Sequence, residues 1–234
     1  MRRTRTHGRA ETSATVPPVS EPNRITTFRA VIFDLGGVVF PSPFEAFDDY
    51  ERAAGLAPRF IRTVVAESAD HGAWARFERS EIGFDEFRDT FEAECAAAGG
   101  AVDAAEIMRG IMTGFAPRAE MVTAIARLRR SGLRTGALTN NWVASEPGGT
   151  SGASELGFDV VVESALEGIR KPDPAIYELV CARLDVAPAE CVFLDDLGVN
   201  LKPARAMGMT TVKVVEPRAA LIELGNHLAL ELLD

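Results

Sequence analysis

The spacing of apolar residues changes along the chain, and each change marks a different kind of structure. A short run at 31–33 is continuously apolar and ends at Asp34, which is typical of a buried strand. Between about 45 and 115, apolar residues recur three or four positions apart, and glycines divide the stretch into about four amphipathic helices. Further along, helices alternate with short strands predicted at 133–138, 158–162, 191–194 and 210–215.

This alternation of strands and helices predicts an α/β fold with a doubly wound parallel sheet of the Rossmann-like kind. The helical stretch interrupts the pattern immediately after the first strand, so we predict a small helical cap inserted there. The predicted domains are an α/β core of 29–44 and 116–234 and a cap of 45–115. The alternative is that these helices merely pack on the sheet.

The N-terminal segment 1–28 has a different composition from the rest of the chain. It contains arginine, serine, threonine and proline but almost no large apolar residue. Such a segment cannot bury a core, so we predict a disordered arm. An organellar transit peptide is the alternative, although Glu11 and Glu21 count against it.

Charge and cysteine content exclude several classes of partner and site. A net charge of -9 and a pI near 5.0 argue against nucleic acid or an anionic membrane as the main partner. The chain has no run of about 18 apolar residues, so no membrane span is predicted. Its three cysteines are widely spaced among apolar neighbours, which is typical of reduced core residues in a cytoplasmic protein.

Polar residues with catalytic potential occur at or just after predicted strand ends. They are Asp34, the pair Thr139 and Asn140, Lys171, and the pair Asp195 and Asp196. Because the carboxyl ends of parallel strands share one edge of a sheet, these side chains are expected to converge on one pocket. Taken singly, each has an ordinary alternative, such as an Asp-Gly turn or an exposed lysine before a proline.

This set of residues fits phosphoryl transfer. Asp34 can act as a nucleophile that forms an acyl-phosphate, which water then hydrolyses. Its carboxylate and those of Asp195 and Asp196 offer the hard oxygen ligands that Mg²⁺ prefers. The Thr139 hydroxyl, neighbouring backbone N–H groups and the Lys171 ammonium would bind the non-bridging phosphate oxygens.

In this order, the motifs resemble those of the haloacid dehalogenase-like hydrolase superfamily. The segments LTNNW at 138–142 and FLDDLGVNLKPAR at 193–205 carry the closest likeness. They are similar to the N-terminal phosphatase domain of soluble epoxide hydrolases, to a domain of some acyl-CoA dehydrogenase fusion proteins and to small sugar phosphatases. The resemblance covers about 29–215 and includes the helical cap.

The resemblance implies a Mg²⁺-dependent phosphatase that hydrolyses a small organic phosphate monoester, such as a sugar phosphate, through an aspartyl-phosphate. The implied roles are nucleophile and metal ligand for Asp34, phosphate binding by Thr139, Asn140 and Lys171, metal ligation by Asp196 and the backbone carbonyl of Gly36, and support by Asp195 and Asn200. Trp142 would lie near the entrance, where it contacts substrate or packs against the cap, and we favour packing. A monomer and a homodimer are both compatible with the sequence.

Gly36 is the one important departure from the family pattern. Most family phosphatases have a second aspartate there as general acid and base, a role that typically supplies about 10²- to 10⁴-fold in rate. We therefore expect either a preference for easily expelled leaving groups, such as those of sugar 1-phosphates, or an acid borrowed from the cap or the substrate. The candidate acids of the cap are Glu67, Asp70, His71, Glu78 and Glu81.

Two other functions stay open at the level of sequence. Haloacid dehalogenation also uses an aspartate nucleophile and does without the second acid, but it would leave the negative charge of Asp195 and Asp196 without a purpose. A catalytically weak module that binds a phosphometabolite or a partner is the other alternative, and Gly36 and the basic arm favour it.

Overall fold

The computed structural model describes residues 28–113, 116–143 and 153–233. The predicted disordered arm lies outside the described residues apart from Phe28. Residues 114 and 115, at the predicted boundary between cap and core, also lie outside them, and the domain boundaries stay predictions.

Five parallel strands form one sheet in the order β3-β2-β1-β4-β5. The central strand β1 (Ala30–Phe33) lies between β2 (Arg134–Thr139) and β4 (Cys191–Asp195), and β3 (Val160–Glu163) and β5 (Thr210–Lys213) form the edges. All of β1 is fully buried, which explains its continuously apolar sequence. The parallel sheet is confirmed, and the strands end within two residues of their predicted limits.

Five helices follow β1 and form the cap, which is one helix more than predicted. They are α1 (Pro43–Ala54), α2 (Phe60–Ser68), α3 (Ala73–Glu78), α4 (Phe84–Ala97) and α5 (Ala104–Met112). Ser42 caps α1. Its hydroxyl accepts from the Phe44 N–H, and the Ser42 N–H donates to the Glu45 carboxylate. The cap has its own apolar cluster, in which Phe87 and Phe91 are completely buried.

Helices cover both faces of the sheet. The helices α6 (Ala119–Arg130), α7 (Ser164–Glu167), α8 (Pro174–Leu184), α9 (Gly198–Ala206) and α10 (Pro217–Leu228) come from the core, and short 3₁₀ turns lie at Ala69–His71, Ala153–Leu156 and Pro188–Glu190. One apolar cluster joins Val31 and Phe33 to α6 and α10, and another joins Ala30 and Ile32 to α8 and α9. Since successive strand residues point to opposite faces, the sheet is doubly wound as predicted.

Across the part of the chain that the structure describes, no helix combines the length and apolar character that a bilayer crossing requires.

Truncation of Phe91 should destabilise the protein strongly through the cap. Phe91 is fully buried and stacks on Phe87 with ring centroids 5.4 Å apart. We expect Phe91→Ala to lower the free energy of unfolding by about 3–5 kcal/mol, as measured by urea denaturation. The control Phe84→Ala removes a partly buried ring of the same cluster and should cost clearly less. Equal losses would contradict a cap with its own packed core.

Candidate active site

The carboxyl ends of β1, β2 and β4 bring the predicted residues together. Asp34 directly follows β1, Thr139 is the last residue of β2, and Asp195 is the last residue of β4. Phe33 pairs with Ala137 on one side and with Leu194 on the other, which fixes these ends at one level. The Asp34 N–H continues the ladder by donating to the Leu194 carbonyl at 2.8 Å.

Lys171 is a buried cation between two carboxylates. Its Nζ atom lies 2.8 Å from Asp34 Oδ1 and 2.8 Å from Asp195 Oδ2, and the residue is only 1% exposed. The alternative of an exposed lysine before a proline is therefore wrong. Burial favours the neutral amine, but the carboxylates of Asp195 and Asp34 outweigh it and raise the pKa of Lys171.

Asn140 positions the backbone of Lys171. The Asn140 Nδ2 atom donates to the Lys171 carbonyl at 3.0 Å, and the Lys171 N–H donates to Asn140 Oδ1 at 2.8 Å. Both ends of the amide are thus engaged with one residue. For Asn140, phosphate binding in this arrangement would fall to its backbone N–H rather than to its side chain.

Asp195 is held by donors on both oxygens. Asn200 Nδ2 lies 3.1 Å from Oδ1 and 3.0 Å from Oδ2, and the Leu197 N–H donates to Oδ1 at 2.8 Å. The buried Tyr177 hydroxyl in turn donates to the Asn200 carbonyl at 2.8 Å. These contacts give Asp195 and Asn200 the geometry of supporting residues.

The three carboxylates carry more negative charge than Lys171 can neutralise. Burial raises the pKa of Asp34 well above its usual value, and the carboxylates of Asp195 and Asp196 add to the rise against the effect of Lys171. Burial and the neighbouring Asp195 also raise the pKa of Asp196 to about 6, although Lys171 and, more weakly, Arg62 oppose them. The site therefore favours an additional positive charge.

A divalent cation would compensate this excess of negative charge. One carboxylate oxygen from each of Asp34, Asp195 and Asp196 lies within 4.8 Å of the others. Oxygen ligands in such a group suit Mg²⁺, and Asp195 is already occupied by protein donors. Asp34 and Asp196 are therefore the carboxylates best placed to bind the metal directly.

Gly37 is a site residue whose role the sequence analysis missed. Its φ of 77° lies in the left-handed region that favours glycine. A Cβ atom at this position would overlap Oδ2 of Asp196, so the backbone of the β1 loop must run directly against that carboxylate. Gly36 is different, because a Cβ there would meet only Pro43 Cδ, at 3.4 Å. The Asp-Leu-Gly-Gly sequence at 34–37 indicated a turn but not which glycine was needed.

Thr139 and Trp142 belong to the same segment after β2 but lie in different surroundings. Thr139 is 4% exposed, and its hydroxyl lies 3.3 Å from the Asn140 carbonyl. Trp142 packs against the cap, with its ring stacked on Phe77 at 6.0 Å and edge-on to Trp74 at 6.1 Å. This is the packing arrangement that we favoured for Trp142.

The acidic candidates of the cap are mostly engaged or exposed. Glu78 is buried and accepts from Trp74 Nε1 at 3.0 Å and from Arg170 Nε at 2.7 Å. Asp70 also pairs with Arg170, at 3.0 Å. Glu81 pairs with Arg79 on the surface, and Glu67 and His71 are exposed. Glu78 and Asp70 thus neutralise Arg170 instead of pointing as free acids at Asp34.

Two hydroxyl groups reinforce this contact between cap and core. The Ser164 hydroxyl donates to the Glu78 carbonyl at 2.7 Å, and the Ser80 hydroxyl donates to the Ala165 carbonyl at 2.8 Å. These contacts join sequence positions more than 80 apart, so no local pattern could have identified them.

Comparisons with known proteins agree on one family of hydrolases. A model of haloacid dehalogenase-like hydrolases matches residues 28–208. The chain is 38% identical over 201 residues to acyl-CoA dehydrogenase family member 10 of Mus musculus, covering 85% of this chain and 19% of that protein. It is 32% identical over 220 residues to bifunctional epoxide hydrolase 2 of Sus scrofa, covering 88% and 40%. The chain therefore spans less than half the length of these two relatives.

A third relative is matched over almost its own whole length. A sesquiterpene phosphatase of Aspergillus oryzae is 29% identical over 200 residues, which cover 85% of this chain and 96% of that protein. Among solved structures, a HAD family enzyme of Bacteroides thetaiotaomicron, in complex with magnesium and inorganic phosphate, has a TM-score of 0.55 at 19% identity. That alignment covers 80% of this chain and 93% of the other, and it shows a shared fold.

Mg²⁺ should stabilise the protein through Asp196. We expect Mg²⁺ at 100 times its dissociation constant to add about 2.7 kcal/mol to the stability of the metal-free parent, seen as a rise in Tm. Asp196→Asn should lose most of this rise. At pH 7.5, without metal, the variant should melt above the parent, because the buried repulsion that raises the Asp196 pKa is removed.

The control for this measurement is Asp48→Asn, which changes an exposed carboxylate on α1 by the same charge. Its Mg²⁺-dependent rise in Tm should equal that of the parent. A full rise in Asp196→Asn would show that the metal binds elsewhere.

Proposed function

The chain belongs to the haloacid dehalogenase-like hydrolase family, and on that premise we propose that it is a Mg²⁺-dependent phosphatase acting on a small organic phosphate monoester. The observation that carries the proposal is the cluster of Asp34, Asp195 and Asp196 around a single lysine. The sesquiterpene phosphatase relative, matched over almost its whole length, supports a small-molecule phosphate as substrate.

Asp34 is oriented for nucleophilic attack. The Leu35 N–H donates to Asp34 Oδ1 at 2.6 Å, and Lys171 contacts the same oxygen. Within the described residues both donors therefore hold Oδ1, which presents Oδ2 as the attacking atom. Oδ2 forms a bond to phosphorus while the bond from phosphorus to the ester oxygen breaks, and the ester oxygen leaves with the electron pair.

The remaining residues would bind the phosphoryl group during this step. Thr139, the Asn140 backbone and the Lys171 ammonium face the oxygens on which negative charge is distributed. Asp34, Asp196 and the Gly36 carbonyl would hold Mg²⁺, whose positive charge would stabilise negative charge on the same oxygens. Water then forms a bond to phosphorus while the bond from phosphorus to Asp34 Oδ2 breaks, which regenerates the Asp34 carboxylate. One proton of the water stays on the released phosphate, and the other neutralises the alkoxide that left in the first step.

The leaving oxygen has no acid beside it on the β1 loop, because Gly36 occupies that position. The cap acids do not replace it in this arrangement, since Glu78 and Asp70 are paired with Arg170. Phosphates whose leaving groups need little protonation should therefore react best.

The two alternative functions fit the site less well. Dehalogenation would leave the negative charge of the partly buried Asp196 without a role, because the reaction needs no metal ligand and Asp195 alone already pairs with Lys171 beside the nucleophile. A binding module would need no oriented nucleophile, yet Asp34 is fixed by Leu35 and Lys171. Turnover of phosphate esters distinguishes the phosphatase from both.

Removal of the nucleophile should abolish turnover. We expect Asp34→Asn to reduce phosphate release from a panel of sugar, acyl, nucleotide and lipid phosphates by about 10³-fold or more. Asp48→Asn should keep the parent rate, and circular dichroism should show that both variants are folded. Undiminished turnover in Asp34→Asn, or Mg²⁺-independent turnover in the parent, would refute the proposed mechanism.

Restoring an acid on the β1 loop should change the preference for leaving groups. The space beside Gly36 admits a side chain with only the Pro43 contact. We expect Gly36→Asp to accelerate hydrolysis of alkyl phosphates by about tenfold or more, but that of p-nitrophenyl phosphate hardly at all. Gly36→Asn introduces a side chain of the same size as Asp but without an acidic proton to transfer, so it should accelerate the hydrolysis of neither substrate. Equal acceleration of both substrates would contradict the argument.

A further inference from the structure

Arg62 is a cationic side chain of the cap that pairs with no carboxylate among the described residues. It lies on α2, and its guanidinium carbon is 3.8 Å from the centre of the Phe44 ring. Its Nε atom is buried and makes no hydrogen bond, and within the described residues the side chain forms no ion pair. A guanidinium that stacks on a ring but pairs with no carboxylate keeps its terminal N–H groups for an anion.

Arg118 provides a comparison with Arg62, because it is an arginine whose role in this protein is structural. Its Nε atom is also buried without a partner, but its guanidinium lies 3.8 Å from the Glu45 carboxylate. The charge of Arg118 is therefore compensated by the chain itself. That of Arg62 is available to a ligand.

Arg62 lies beside the candidate active site. The ring that it covers belongs to Phe44, which follows Pro43, the residue that borders the open space at Gly36. The charge of Arg62 also acts on Asp196, where it opposes the effect of burial on the carboxyl pKa. Arg62 thus brings a positive charge from the cap toward a site whose other charged groups come from the core.

The geometry of phosphoryl transfer decides which part of a substrate Arg62 faces. Attacking and leaving oxygens lie roughly in line across phosphorus. With Asp34 attacking from the sheet edge, the leaving group points away from the sheet and toward the cap. Arginine stays protonated at physiological pH, so Arg62 cannot supply the proton that Gly36 lacks. Its chemistry is the binding of an anion.

Building on the proposed phosphatase function, we propose that Arg62 binds a second anionic group of the substrate. The preferred substrates are then phosphate monoesters that also carry a carboxylate or another phosphate. Stacking on Phe44 fixes the guanidinium, and its N–H groups can pair with two oxygens of either anion. This residue selects the organic part of the substrate, whereas Lys171 and Thr139 serve the phosphoryl group.

Matched substrates test the proposal. Glycerol 2-phosphate and 2-phosphoglycerate differ by the replacement of one hydroxymethyl group by a carboxylate. Fructose 6-phosphate and fructose 1,6-bisphosphate test a second phosphate. We expect the parent to prefer the more anionic member of at least one pair in kcat/KM, and Arg62→Met to reduce that preference about ten- to a hundredfold. Arg109→Met changes an exposed arginine on α5 and should leave the preference unchanged.

Binding provides a second readout that does not require turnover. Asp34→Asn, alone and combined with Arg62→Met, is titrated with both members of each pair by calorimetry. Loss of the preference for the more anionic member only in the combined variant supports the proposal. An unchanged preference overturns it, and so does an equal loss for both members, because Arg62 would then serve the phosphoryl group or the cap fold. If the parent turns over no phosphate at all, the phosphatase function fails, while an Arg62-dependent binding preference still supports the anion site.

Discussion

The contacts of one buried ammonium with two carboxylates are the interaction on which the rest of the site depends. Charges taken out of water are costly unless they are paired, and Lys171 meets this requirement by lying 2.8 Å from both Asp34 and Asp195. Those carboxylates end two adjacent strands. A slip of one residue between β1 and β4 would separate the partners and leave a charge buried alone. The pairing register of β1 and β4 therefore also fixes the geometry of the site.

The chain retains a local conflict around that interaction. Burial and mutual repulsion raise the pKa values of Asp34 and Asp196, so the ionised cluster is less stable than the same groups in water. The β1 loop adds to the crowding, because the backbone at Gly37 runs directly against the Asp196 carboxylate. Active sites commonly sacrifice stability in this way, and a bound cation relieves the repulsion between the carboxylates.

Local patterns predicted the sheet and the residues at its edge, because a buried strand that ends at a carboxylate can be recognised from a few consecutive residues. The number of cap helices was less accessible, since α3 has only six residues and is too short to show a helical period. Phosphate binding by Asn140 stays a prediction for its backbone N–H. The sequence did not indicate that its side-chain amide holds the backbone of Lys171. The positions of Arg62 and Arg170 depend on how the cap lies against the core, which no short segment encodes.

The ion pair between Arg170 and Glu78 has a mechanical consequence. Arg170 immediately precedes Lys171 in the chain, so the contact that holds the cap is one peptide unit from the contact that holds the nucleophile. Any movement that lifts α3 must break this ion pair and the Ser164 hydrogen bond, and it pulls on the segment that carries the lysine. The position of α3 against the core and the alignment of Asp34 by Lys171 are therefore mechanically linked through one peptide unit.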